Sequence, residues 1–546
     1  MPDRIAGGPW SRLAAAAFGA ALALATPAAA QTSPTFPDAP NAQYVKTWLA
    51  AVGQGDVSAM KALDPQAVGV WRQSGGYDLL AVEGVTATQV TALVRARLTG
   101  NYLRLTWVFD ASTPPKLVGL RGQPAAPPPG LPPVQRLDDA ALGDFLRSFM
   151  DRSDFSGAVL VARRGKPIFT AVRGLADRER QVPITLESRF RVGSMDKMFT
   201  AVAILQLAQA GKLRLDAPIG TYLKDYPNAD FARTVTVHQL LTHTGGAGDI
   251  FTPAYLAKRL QVKSLQDYVG LFGARAPEFT PGTRWSYANY GFILLGRIVE
   301  EVSGRPYYDY VADHIFKPAG MTRSGFEPED VAVEGRVAPY TSELEGYQSA
   351  TDTLPYRGTS AGGGYATVGD FLAFADALAH RKLLDEAHYR LLTTRKANGS
   401  YAYGLEDGSR DGVRVFGHSG GAPGQNGDFR VIGDGELVVI ALSNVTPPAR
   451  ASQLADLVLN KAIVRKRDGS VAAIAAGPPP PPTLAEREAL FRANDRNGDG
   501  RLDRNEFRAV VAALAYPELQ ESLFAQRDTD KDGFISLAEV RAELPR

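Results

Sequence analysis

Apolar residues recur along this chain with two different periods. Between residues 38 and 122, a helical spacing of Tyr44, Trp48, Leu49 and Val52 gives way to strict alternation. Val90, Ala92, Val94, Ala96 and Leu98 run up to a Thr-Gly-Asn turn, and Leu103, Leu105, Trp107 and Phe109 follow it. Spacing by three and four marks one face of a helix, and period two marks a half-buried strand. The pattern predicts a small curved sheet packed on a helix.

From 136 to 470 the pattern changes to strand-like runs at both ends (GAVLVARR, PIFTAVRG, FRVIGDGELVVIALSN) with helical ones between (MDKMFTAVAILQLAQAG, YGFILLGRIVEEVSG). This predicts an α+β unit whose sheet closes from sequence-distant halves. In its first helix, Met198, Val202 and Leu205 together with Ala201, Ile204 and Leu207 cover most of the circumference. Such a helix is buried on nearly all sides, and Gly211 can cap it in a left-handed turn. Proline-rich stretches at 123–135 and 477–483 favour extended spacers and separate three modules. The expected organisation is a leader over 1–30, a small α+β domain over 31–122, a linker over 123–135, the central domain over 136–470, a linker over 471–483 and a final domain over 484–546.

Composition narrows this by exclusion. Sixty basic residues against fifty-eight acidic ones leave little field to gather an anionic polymer, so nucleic acid is not an expected partner. The chain has no cysteine, which removes disulfides, thiolate nucleophiles, cysteine-ligated metals and a lipidated N-terminal cysteine. Arg4 and Arg12, the apolar LAAAAFGAALALA and the small residues before Gln31 have the order of a secretory signal. The apolar core is too short to span a bilayer, so no transmembrane anchor is expected. The mature protein is expected to begin near Gln31 and to be periplasmic or secreted.

The chemistry concentrates at Ser194 and Lys197. Three residues are nearly one helical turn, so the hydroxyl and the amine project on one face at the helix's positive end. A serine nucleophile needs a base within reach, and a lysine in an apolar site sheds its proton readily. Two other segments add polar groups: WSYAN at 285–289 supplies Tyr287 and Asn289, and GHSGG at 417–421 lies between strand-like runs. The last segment fits the Gly-x-Ser-x-Gly elbow of α/β-hydrolases. However, His418 is the last of six histidines and precedes Ser419, whereas that fold places its histidine after the nucleophile. GHSGG also leads into APGQNG instead of a helix. His243, in LLTHTGG, reads as a capping or packing residue, and no H-E-x-x-H occurs.

In this order S-x-x-K, Y-x-N and H-x-G resemble the three motifs of the serine β-lactamase and penicillin-binding-protein superfamily. The tyrosine in the second resembles the branch of class C β-lactamases, DD-peptidases, D-aminopeptidases and β-lactamase-like esterases. LLTHTGG, PGTRWSYANYGFILLGRIVEEVSGRPYYDYV, KPAGM and SAGGGYATVGDFLAF are similar to that branch as well. The resemblance implies a β-lactamase/transpeptidase-like domain, an antiparallel sheet flanked by helices with a helical subdomain. It implies attack by Ser194, proton transfer by Lys197 and Tyr287, and hydrogen bonding by Asn289 to Lys197 and the acyl side chain. It further implies a strand carrying His418 and Gly420 beside the substrate, and an oxyanion hole from the Ser194 and Gly421 amides. Class C β-lactamases carry lysine where this chain has His418. A largely uncharged histidine attracts a substrate carboxylate less, which favours ester or D-peptide hydrolysis over β-lactam hydrolysis. The first domain loosely resembles the cone-shaped SnoaL-like domains and shows no acid/base pair, metal spacing or phosphate loop.

The C-terminal residues contain two twelve-residue loops, DRNGDGRLDRNE and DTDKDGFISLAE. Each has oxygen donors at positions 1, 3, 5, 9 and 12, glycine at 6 and an apolar residue at 8, Leu502 or Ile535. Ligands would be Asp495, Asn497, Asp499, the Arg501 carbonyl, Asp503 and Glu506, then Asp528, Asp530, Asp532, the Phe534 carbonyl, Ser536 and Glu539. With the amphipathic segments around them they resemble an all-α EF-hand pair, making calcium the expected ion, one the acyl-transfer chemistry would not need. The combined expectation is a multidomain α+β exported serine hydrolase acting on a small ester, a D-peptide or a peptidoglycan-derived substrate. The alternative is a catalytically idle relative that associates through calcium.

Overall fold

The computed structural model describes residues 34–128, 136–343, 346–396, 401–409 and 413–464, with sparser positions between 488 and 541. The apolar leader, the second proline-rich stretch and most of the helical segments expected around the two acidic loops lie outside them.

The first module packs helices α1 (Pro40–Gln54), α2 (Val57–Leu63) and α3 (Ala67–Ser74) on a four-stranded antiparallel meander. Its strands are β1 (Tyr77–Val85), β2 (Gln89–Ala96), β3 (Tyr102–Phe109) and β4 (Leu117–Pro124), paired in sequence order. The predicted helix is α1 and the alternating runs are β2 and β3, meeting where Trp48 packs edge-on against Trp107 at 5.4 Å. β1 escaped the pattern because register shifts at Leu79/Ala81 and Val82/Gly84 break its alternation. β4 runs two residues beyond the expected boundary at 122. Pro124 is tolerated there because the strand forms the sheet edge.

The central domain opens with α4 (Asp139–Arg152) and the hairpin β5 (Gly157–Arg163) and β6 (Lys166–Arg173). It continues through α5 (Asp196–Gln209), a helical region including α6 (Asn289–Ser303), and α7 (Val368–Ala379). It closes with β7 (Glu406–Asp407), β8 (Val415–Ala422), β9 (Gln425–Ile432), β10 (Leu437–Ser443) and α8 (Arg450–Lys461). The sheet order is β7-β8-β9-β10-β5-β6, all antiparallel, so β10 pairs with β5 across almost the whole domain sequence, Leu442 opposite Ala158. Both faces are covered. Val159, Val161, Val439 and Ala441 meet α4 and α8, whereas Leu160, Ile440 and Leu442 join the core with Phe199, Phe371 and Phe374. Double coverage explains why these strands read as continuous apolar runs.

The two modules are joined by charge. Asp154 accepts from Arg72 at 2.9 Å and from Arg450 at 2.5 Å, and Arg72 also donates to the Ser342 carbonyl at 2.7 Å. Leu98, at the end of the β2 run, is buried with Leu142 and Leu146 of the central domain. The proline-rich connection therefore links two units that are in contact.

In the last module Arg501–Leu502 pairs antiparallel with Ile535–Ser536, placing Leu502 opposite Ile535 as the loop pattern requires. Phe491, Phe507 and Phe524 pack around that pair.

Candidate active site

Ser194 sits in a single 3-10 turn, Gly193–Met195, which runs directly into α5. The helix is sheathed in apolar neighbours on nearly every side, and Gly211 takes φ +68 just after it, as its sequence predicts. Lys197, fully buried in its first turn, holds Nζ 3.1 Å from Ser194 Oγ. It also bonds to two oxygens that can only accept: Asn289 Oδ1 at 2.8 Å and the Ala361 carbonyl at 2.6 Å. A neutral amine has two N–H groups and one lone pair. Two carbonyl acceptors take the two protons, and the lone pair is left facing the serine hydroxyl. Burial agrees, pulling the Lys197 pKa down to about 7 against the opposing pull of Asp196, Asp249 and Glu406.

Asn289 begins α6, and its orientation is fixed from behind. Nδ2 donates to Asp249 Oδ1 at 2.9 Å, so Oδ1 must turn toward Lys197. Asp249 went unnoticed in the sequence because nothing in the Gly-Asp-Ile segment around it forms a motif.

Tyr287 lies two residues before Asn289, its ring centroid 4.8 Å from Lys197 Nζ, and burial raises its pKa well above the usual phenol value against the opposing effect of the nearby Ser194 hydroxyl. Its ring rests on His243, with centroids 4.3 Å apart. His243 is buried, adopts φ +56 and receives the Ala288 N–H on Nδ1 at 3.1 Å. That bond places the imidazole proton on Nε2, which has no partner among the described residues. Burial, with Lys197 and His418 nearby, holds its pKa well below the usual histidine value. With Nδ1 already occupied, His243 packs and positions, as its place in the sequence suggests, and has no free lone pair for a base.

The loop Ser360–Gly364, within the SAGGG segment, closes over the start of α5. Thr200 Oγ1 donates to the Ser360 carbonyl at 2.7 Å, Gly363 N to the Gly193 carbonyl at 3.1 Å, and Gly364 N to the Asp196 carboxylate at 2.6 Å. The nucleophile turn is thus fastened on both sides.

His418, Ser419, Gly420 and Gly421 lie within one strand, β8, which turns directly into β9. The sequence had suggested a motif between two strands, and the absence of a following helix removes the hydrolase elbow. A Cβ at Gly420 would fall 2.1 Å from the Val192 carbonyl and 2.9 Å from Ser194 N. One at Gly193 would meet Gly421 N at 2.7 Å. Only bare backbone lets β8 approach this closely, and it brings the Ser194 and Gly421 amides to one corner. Ser419 Oγ donates to Glu406 Oε1 at 3.2 Å and has no basic nitrogen as partner among the described residues. His418, 2% exposed, holds Tyr401 Oη at 2.9 Å through Nε2, and burial lowers its pKa below the ordinary value despite Glu406. It is therefore uncharged at neutral pH.

The arrangement offers a hydroxyl, an amine able to accept its proton, a phenol able to relay that proton and two convergent amides. These are the parts of an acyl transfer.

The Beta-lactamase family matches residues 142–463, well over half of the chain. This chain belongs to that family. The EF hand matches 488–511 and 519–544. A penicillin-binding protein of Bacillus halodurans is similar in structure, with a TM-score of 0.52 and 31% identity over 57% of this chain and 99% of that one. Esterase EstB of Burkholderia gladioli is 33% identical over 37% of this chain and 57% of its own length. A D-aminopeptidase of Brucella anthropi is 26% identical over 60% of this chain and 64% of its own. The chain thus spans less than two thirds of these last two proteins.

The second acidic loop fits a cation. Asp528, Asp530 and Glu539 bring carboxylate oxygens within 4.8 Å of one another, and Asp528 Oδ1 is buried without a hydrogen-bond partner. A buried carboxylate oxygen left unpaired is costly unless an ion takes it. In the first loop the Asp495 and Asp499 side chains accept backbone N–H bonds from Gly500 and Arg501 at 2.9 Å, shaping the same turn.

Proposed function

We propose that this protein is an exported serine hydrolase that forms an acyl-enzyme on Ser194 and acts on carboxylic esters or D-amino-acid amides and peptides. The observation that carries this reading is the convergence of Lys197 Nζ on Ser194 Oγ, Asn289 Oδ1 and the Ala361 carbonyl, a geometry in which the neutral amine turns its lone pair toward the serine. Ser194 attacks the carbonyl while its proton passes to Lys197. Tyr287, which stays protonated near neutral pH, hands its proton to the leaving alkoxide or amine and takes one back from the Lys197 ammonium, so the serine proton ends on the leaving group. The oxyanion is met by the Ser194 and Gly421 amides, and water completes the cycle by releasing the acid. Asn289 keeps Lys197 in register. An uncharged His418 makes β-lactams, which carry a carboxylate, the poorer substrates. An esterase and a D-aminopeptidase among the relatives support the two substrate classes. Export rests on the N-terminal leader pattern. Among the described residues no helix is long and apolar enough to cross a membrane.

Calcium is the ion proposed for the C-terminal loops, held by the oxygen ligands named in the sequence, and it would order that module.

The test is peptide mass spectrometry after brief exposure to a p-nitrophenyl short-chain ester and, separately, to a penicillin. An acyl adduct on the Ser194 peptide, absent in Ser194→Ala and retained in Ser419→Ala, is expected from the ester. No adduct and no ester turnover would sink the proposal.

A further inference from the structure

β7 covers the edge of β8 at only two positions, Asp407 opposite Phe416 and Glu406 opposite Gly417. From His418 to Ala422 no strand lies on that edge among the described residues, and this open stretch ends beside the Ser194 and Gly421 amides. A substrate lying along it meets the last residue of the covering strand, Glu406. The Glu406 side chain is 46% exposed, accepts from Ser419 Oγ at 3.2 Å and stands 4.0 Å from His418 Nδ1. His418 is its basic neighbour among the described residues, and it is uncharged. On the other side of Lys197, Asp249 is exposed and adds a second carboxylate; both carboxylates act on Lys197 and on Tyr287. Arg275 donates to the Asp249 carbonyl at 2.8 Å and offsets charge on that side, whereas Glu406 has no charged cation paired with it among the described residues, so the negative charge beside the open edge is that of Glu406.

We propose that Glu406 is a specificity-determining residue that selects substrates carrying an ammonium group a few bonds from the scissile carbonyl. The inference rests on the acyl-enzyme reading above. Two residues along a strand span about 7 Å, so the Ser419 position beside which this carboxylate is held lies about that far from Gly421, whose amide receives the carbonyl oxygen. A substrate ammonium reaches it without disturbing the serine, and a substrate carboxylate meets a like charge.

Two matched ester pairs test this with the full mature chain. Benzyl D-alaninate against benzyl N-acetyl-D-alaninate puts the cation on the acyl side. Choline butyrate against 3,3-dimethylbutyl butyrate puts it on the leaving side at constant shape. In at least one pair kcat/KM should favour the cation by about three- to fivefold, the size of one part-exposed ion pair. The preference should shrink as ionic strength rises. In Glu406→Gln it should fall to near unity, chiefly through KM. Should that variant not fold, the salt dependence of the wild-type ratios carries the test. Equal rates within both pairs, or a ratio that Glu406→Gln leaves intact, would overturn the proposal. Labelling of wild-type Ser194 by a p-nitrophenyl ester separates the two levels. A labelled serine without cation preference defeats this inference alone, and an unlabelled one defeats the reading beneath it.

Discussion

His243 and Tyr287 lie ring against ring, with centroids 4.3 Å apart, and the chain on either side of the tyrosine is tied to the same histidine. Ser286 N donates to the His243 carbonyl at 2.9 Å and Ala288 N to its Nδ1 at 3.1 Å. One residue thus sets where the Tyr287 hydroxyl stands relative to Ser194. His243→Leu should lower kcat for a p-nitrophenyl ester by roughly 10²-fold, the cost of a displaced catalytic group, with a smaller change in KM. His243→Asn should recover most of that loss, because an amide oxygen can replace Nδ1 and asparagine tolerates φ +56. His243→Gln places its oxygen near the Nε2 position and should not rescue. Equal losses in all three variants would mean that the ring matters only as packing.

Asp249 acts one step further out, by forbidding Asn289 to flip. In Asp249→Ala the amide is free to turn its NH2 toward Lys197, which would then lose an acceptor and face a competing donor. Esterase kcat should fall by about 10-fold to 10²-fold, with thermal stability nearly unchanged because the carboxylate is exposed. Unchanged kinetics would show that Asn289 is held from elsewhere.

A lysine with a pKa of about 7 gives the reaction its pH profile. The charged form is inert as a base, so the rate of Ser194 acylation should climb about tenfold per pH unit below 7 and level off above it. Burial lowers His418 and His243 from the ordinary histidine value and raises Tyr287 from the phenol value. Asp196, buried beside Lys197 with its pKa pushed up to about 8, is the neighbour whose ionisation overlaps this limb, and its charge favours the ammonium form. Burst kinetics with p-nitrophenyl acetate from pH 5.5 to 9 measure the profile. A flat profile would contradict the assignment of Lys197 as base. Lys197→Arg, with a guanidinium that stays charged, should lose at least about 10³-fold.

Much of this site was legible because its residues carry their chemistry in local spacing. Ser194 and Lys197 lie within one turn and their side chains meet, and Tyr287 and Asn289 flank a single residue and both approach Lys197. Strands with clean alternation, β2 and β3, were equally visible. What escaped was set by tertiary contact. Asp249 matters only because a loop brings it behind Asn289, and Glu406 only because a two-residue strand stops beside an open edge. β1 was hidden by its bulges, and the contact between the first two modules by the absence of any signal in isolated Arg72, Asp154 and Arg450.

Those three residues give the first module a testable role. Arg450 is 3% exposed, and Asp154 is the carboxylate that joins it to Arg72. Removing the shared anion leaves two guanidinium groups facing each other in a partly buried contact. Asp154→Ala should destabilise the chain by about 2 kcal/mol, less than a fully buried pair would. It should also expose the 125–135 connection to limited proteolysis at a protease dose that leaves the wild type intact. Resistance equal to wild type would mean that apolar contacts such as Leu98 hold the modules together without the charges.

The last prediction concerns the ion. Leu502 faces Ile535 across the only sheet joining the two acidic loops among the described residues, so ordering one loop presents a formed strand to the other. Calcium should therefore bind with positive cooperativity, and Glu539→Gln, which removes one of the three clustered carboxylates, should weaken both sites and not just its own. Isothermal titration of the wild type and the variant reads this directly. Two independent sites, one of them untouched in Glu539→Gln, would defeat the coupling. Chelation should unfold this C-terminal module while leaving most esterase activity, because every group proposed for the chemistry lies between Ser194 and Gly421. Activity that collapsed with chelator and returned with calcium would instead place the module in contact with the catalytic cleft.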